Sequence, residues 1–297
     1  MFGLILALLA GISYSAATGL ARKAVHHTGE TFTTVASVLF GGMVIFSIWL
    51  LLSGELNGLF SLSLTWFGIL ALAGIIHFII GRMLFFTSLR LVGATRAVPV
   101  ISCSILISAL IGTFFLSEPL TLLLAIAILL IVGGIMLVSS GGNSDGEQKG
   151  VVGGSLAIGI LTALGGALCW GVSPVLMKIG LKEIGSPLLA LVVAYGVSSL
   201  IVAFSLFCST NKKKMHKMDS TAIILLVLAV ITTSAGMALR MLALDYSPVS
   251  VVEPLIGSTH NLFIIPVSFL INRRIEAFEL RIAIGTIAIM IGIILII

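Results

Sequence analysis

The chain has 297 residues, of which 9% are charged and 59% hydrophobic, and its mean hydropathy is +1.27. A soluble domain carries about a quarter of its residues as Asp, Glu, Lys and Arg, so water is not the main solvent of this protein and little is left for a soluble catalytic domain. The net charge of +5 does not indicate nucleic acid, because the basic residues lie in short gaps between apolar runs, where they determine topology.

A membrane helix needs about 20 apolar residues to cross about 30 Å of hydrocarbon. Runs of that length are predicted as ten spans at 2–21, 33–53, 66–90, 95–116, 119–139, 155–176, 187–208, 221–244, 248–271 and 278–297. The first lacks a basic n-region and an A-x-A cleavage site, so it is expected to be retained as a span. Pro119, Pro187 and Pro248 mark helix starts, where a missing N–H costs nothing.

The least apolar interior gap, rich in Gly and Ser, covers residues 140–154 and reads as a linker between units 1–139 and 155–297. An offset of 155 aligns Gly11 with Gly166, Lys23 with Lys178, Gly81 with Gly236 and Pro99 with Pro254. An internal repeat follows. With five spans per repeat, the second enters the membrane in the opposite sense, so the expected fold is an all-α membrane protein of ten transmembrane helices in two inverted five-helix repeats. Repeats of this kind place a substrate site at their interface and exchange access by rocking.

Counting Lys and Arg by side gives twelve against two, Lys178 and Lys182 being the two, which puts both termini outside.

Five ionisable side chains lie well inside the spans: His77, Arg82, Arg240, Glu253 and His260. A central charge is opposed by about 2.5–3.5 kcal/mol on insertion scales, so each must pair, snorkel or face a polar cavity. Glu253 and Arg240 flank the short connection between the eighth and ninth spans at similar depth. They read either as an ion pair or as working groups, Glu253 taking a proton or cation and Arg240 meeting an anionic substrate group. On the ninth span Ser250, Glu253, Gly257, His260 and Asn261 share one helical face, a candidate cavity lining, opposed on the fourth span by Thr95, Ser102 and Ser108. Arg82 sits more than two turns from its span end and is a second cavity candidate, whereas His77 reads as either lining or hydrogen-bonded packing. Pro99 and Pro254 each free a backbone carbonyl at matching positions and are hinge candidates. Trp170 and Tyr14, one residue out of register in the repeat, are candidates for stacking on a substrate or for packing.

The sequence contains no P-loop, HExxH motif, GxSxG elbow or paired-carboxylate constellation, and Cys103, Cys169 and Cys208 show no metal-ligand spacing. No enzyme activity, cofactor or metal is expected.

Two stretches resemble the EamA branch of the drug/metabolite transporter superfamily: residues 81–121, GRMLFFTSLRLVGATRAVPVISCSILISALIGTFFLSEPLT, and residues 238–258, ALRMLALDYSPVSVVEPLIGS. Pro99, Glu118 and Thr121 match the pattern, as does the Glu253–Pro254 pair, while residues 272–275 depart from the usual Gly-Glu closure. The resemblance covers essentially the whole chain. It implies secondary transport of a small metabolite or drug-like solute, with a proton-coupled cation or multidrug exporter working through Glu253 as the alternative. A membrane-embedded enzyme or assembly subunit is the alternative from another class. Many relatives hold both termini in the cytoplasm, against the charge count, and the two orientations stay open. The expected partners are a small-molecule substrate, a coupling proton or ion in some readings, and the lipid bilayer. No nucleic acid is expected, and the protein reads as a monomer in a bacterial or archaeal cytoplasmic membrane.

Overall fold

The structure is a computed structural model that describes residues 1–28, 31–92, 94–140, 153–208, 219–272 and 280–297. The described residues form helices and no strand. The first half contains α1 (Phe2–Thr28), α2 (Thr31–Ser53), α3 (Leu56–Ser61), α4 (Leu64–Gly74), a π-helical segment (Ile75–Ile80), α5 (Gly81–Val92), α6 (Ala94–Leu116) and α7 (Leu122–Ser140). The second half contains α8 (Gly153–Ile184), α9 (Pro187–Cys208), α10 (Ser220–Tyr246), α11 (Val249–Asn272) and α12 (Leu280–Ile296). The predicted linker lies almost entirely outside the described residues, as do 273–275 of the closing motif.

A helix occupies each predicted run. Among the described residues, 7 helical stretches are long and apolar enough to cross a membrane, and Leu122–Val138 and Ile284–Ile296 are shorter apolar helices. Large apolar side chains such as Phe114, Phe115 and Phe207 point outward, as hydrocarbon allows and water would oppose.

Three local features depart from the predicted runs. The short helix α3 precedes the third span. That span, continuous from Leu64 to Val92, passes through a π-helical turn at its middle. Helix α8 runs on to Ile184, beyond the expected end at 176, and Lys178 in this extension donates to the carbonyls of Leu244 in α10 and of Ser247 just after it.

The halves interdigitate. α1 packs against α10 and α11, and α8 against α5 and α6; α2 meets α9, and α7 meets α12. This scheme is unchanged when corresponding helices of the two halves are exchanged. Small residues make it possible: a Cβ on Gly134 would lie 2.6 Å from the Gly285 carbonyl oxygen, and a Cβ on Gly285 equally close to that of Gly134. Such backbone-to-backbone approach gives helices in lipid their dispersion contact, since hydrocarbon offers no hydrophobic force between them. The main core gathers Leu39, Phe46, Phe78, Tyr195, Met237, Met241 and Leu255 from both halves.

Candidate functional site

The short connection between α10 and α11 folds the two helices back on each other, so residues equally far from the turn face one another. Arg240 Nε donates to Glu253 Oε1 at 2.9 Å and Nη2 to Oε2 at 3.0 Å. The two side chains are 6% and 13% exposed, respectively, so this is a nearly desolvated, bidentate pair. Removing either one would leave the other charge buried and unpaired.

Across from the pair stands His77 of the π-helical segment. Its Nε2 lies 3.4 Å from Arg240 Nη1, and its Nδ1 lies 2.8 Å from Ser173 Oγ on α8. A guanidinium can only donate, so Nε2 is the acceptor and Nδ1 carries the proton that Ser173 accepts. His77 is therefore neutral in this arrangement and joins the ion pair to α8. The π-turn also exposes carbonyls that a regular helix would use, and Trp170 Nε1 donates to one of them, His77 O, at 3.1 Å. The Trp170 ring lies over Gly81, where a Cβ would come within 2.7 Å of Nε1.

Tyr14 of α1 takes the corresponding place on the other side. It rests on Gly236, its hydroxyl donates to Met237 Sδ at 2.8 Å, and it adjoins the Arg240 guanidinium. Arg82, on α5, stands apart from the pair: its guanidinium lies 6.0 Å from the centre of the Phe78 ring.

The predicted polar face of α11 divides among several neighbours. Glu253 pairs with Arg240. Ser250 sits at the helix start, its N–H bound by Glu118. Gly257 lies against Ile105 of α6, Asn261 donates to its own helix at Gly257 O, 2.8 Å away, and the His260 carbonyl accepts from Ser15 of α1 at 2.7 Å. On α6, Ser102 Oγ donates back to Val98 O at 2.9 Å, Ser108 to Ile105 O at the same distance, and the side chain of Thr95 lies outside the described residues. Pro99 lies inside α6 and Pro254 in the early turns of α11. Arg240, Glu253, His77, Trp170 and Tyr14 thus come together, while Ser102 and Asn261 are satisfied within their own helices.

Other residues were not singled out as site candidates by the sequence. The Glu118 carboxylate accepts the N–H groups of Val249 and Ser250 at 2.8 and 2.9 Å, capping α11 from the connection between α6 and α7. Ser117, whose φ of 53° turns the chain sharply after α6, aims it there. Lys178 donates to Leu244 O and, at 2.9 Å, to Ser247 O. The α10–α11 turn is thereby held by an acid from the first half and a base from the second. Their signals were present: Glu118 in the family-like closing motif, and Lys178 in the repeat offset. Ser173, one helical turn after Trp170, and Tyr195 carried no comparable signal.

An apolar helical surface enclosing buried charge defines a multi-pass membrane protein. The family described as EamA-like transporter family matches residues 1–140 and 157–297. The chain belongs to that family, within the drug/metabolite transporters. No curated protein matches it. A solved crystal structure described only as that of a protein shares the fold, with a TM-score of 0.75 at 16% identity over 97% of this chain and 95% of that one.

Proposed function

We propose that this protein is a secondary transporter that moves a small metabolite or drug-like solute by alternating access, in the cytoplasmic membrane of a bacterial or archaeal cell. Its ten helices form two inverted five-helix repeats, and the substrate site lies where α1, the π-helical segment, α8, α10 and α11 converge. The observation that carries this reading is the buried assembly of Arg240, Glu253 and His77 at the contact of the two halves. A rocking motion between halves would make and break the contacts on His77, which comes from the first half while the ion pair comes from the second. The exchange-symmetric helix contacts and the matching seats of Trp170 on Gly81 and Tyr14 on Gly236 support the repeat. The test is uptake of a labelled metabolite panel into proteoliposomes holding the purified chain. Saturable, protein-dependent uptake of at least one solute is expected; binding without flux would overturn transport.

A further inference from the structure

Arg82 differs from the other guanidinium of the bundle in one respect: it has no counter-charge. Among the described residues it makes no hydrogen bond or ion pair, and its close neighbour is the ring of Phe78, itself 2% exposed. Snorkelling does not account for it. Arg82 lies ten residues before Val92 and eighteen after Leu64, about 15 Å from the nearer end at about 1.5 Å per residue. Nor does it turn to lipid, since the Phe78 ring it lies against is itself buried and packs on Tyr195. Its side chain is only half-buried.

The neighbouring helix offers it no acid. α6 contains no Asp or Glu, and at the repeat offset of 155 Arg240 and Glu253 correspond to Phe85 and Val98, so the first half has no copy of the ion pair. A second observation points the same way: Tyr195 is fully buried, yet its hydroxyl has no hydrogen-bond partner among the described residues. A donor hydroxyl and an uncompensated guanidinium whose side chains both lie against Phe78 suit an anion. Around them lie Phe78, 4.4 Å from Tyr195 ring to ring, and the Phe85–Trp170 pair at 5.2 Å, an apolar wall for the rest of a ligand.

We infer that Arg82, with the Tyr195 hydroxyl beside it, binds the headgroup of a small organic carboxylate whose apolar body lies against Phe78, Phe85 and Trp170. Charge selection then falls to Arg82, because Arg240 is already neutralised by Glu253. This rests on the transport reading of the same bundle, extends its substrate site to α5 and α9, and names its substrate class.

The experiment uses the full chain in detergent at constant ionic strength, with phenylacetate and cyclohexylacetate as probes and their amides as neutral controls. The acids are expected to raise the melting temperature of the wild type and of Arg82→Lys, with Arg82→Gln losing the shift and the amides giving none. In the wild type, phenylglyoxal labelling of Arg82 followed by peptide mass spectrometry should fall at least threefold with the acids, while labelling of Arg90 is unchanged. That second readout needs no variant to fold. Equal shifts from acids and amides, an acid shift that survives in Arg82→Gln, or Arg82 labelling indifferent to the acids would overturn the inference. Protection of Arg82 without any flux in proteoliposomes would leave it standing and overturn transport alone; saturable flux of cations only, with Arg82 unprotected, would do the reverse.

Discussion

Arg240 meets Glu253 edge-on, through Nε and Nη2, which leaves Nη1 to reach His77 at 3.4 Å. The pair is therefore both a structural joint between α10 and α11 and one end of a link to the first half of the chain. These roles separate experimentally.

Removing one partner leaves a lone buried charge, which costs about 3–5 kcal/mol, whereas replacing both by apolar residues is near neutral. Arg240→Met and Glu253→Leu should each lower the melting temperature in detergent, and the double variant should recover it. Proteoliposome uptake should stay lost in the double variant. Wild-type uptake by a stable double variant would reduce the pair to a structural element, and would also exclude proton coupling through Glu253.

The cap on α11 predicts a graded response. Glu118→Ala strands two N–H groups near the helix start, at about 1–3 kcal/mol for each buried group left unmade. Glu118→Gln keeps one acceptor oxygen and should melt between Glu118→Ala and the wild type. A Glu118→Ala protein that melts with the wild type would contradict the capping geometry.

The hydrogen-bond pattern assigns the tautomer of His77. In the 15N spectrum of histidine-labelled protein at neutral pH, the His77 signals should be those of a protonated Nδ1 and an unprotonated Nε2, and Ser173→Ala should perturb the former. A protonated Nε2 would mean that Arg240 does not donate to this ring.

Orientation follows from the twelve-to-two distribution of Lys and Arg. Reporter fusions at Asn143 and Asn57 should report the first inside and the second outside. The opposite result would give this chain the orientation common among its relatives and show that the bias near Lys178 and Lys182 does not set it.

Much of the architecture was legible before the coordinates because lipid imposes a simple rule. Every buried backbone group must be satisfied within its own segment, so long apolar runs become helices, and among the described residues a helix fills most of each predicted run. Arg240 and Glu253 were legible for a related reason, since a turn this short leaves only neighbouring helices at equal depth. The π-helical turn at His77 was not, because Ile75–Ile80 reads as apolar apart from the histidine and nothing local distinguishes i→i+5 from i→i+4 bonding. The predicted polar face of α11 shows a different limit. Periodicity puts Asn261 on the same side as Glu253, yet its amide closes onto Gly257 within the helix, a local choice that spacing does not reveal.

The sequence by itself determined the solvent, the helices and the rarity of charge within them, since these depend on composition and on segments of about 20 residues. Only the tertiary structure decided which charges are compensated. Arg240 and Arg82 look alike along the chain, each a guanidinium well inside an apolar span. α11 brings a carboxylate to the first, whereas α6, the counterpart of α11, has no Asp or Glu to offer the second. The same holds for Glu118 and Lys178, which are ordinary end-of-helix charges until α10 and α11 bring unpaired backbone groups to them. Neutralisation is a matter of distance between helices remote in sequence, and that distance is set by packing.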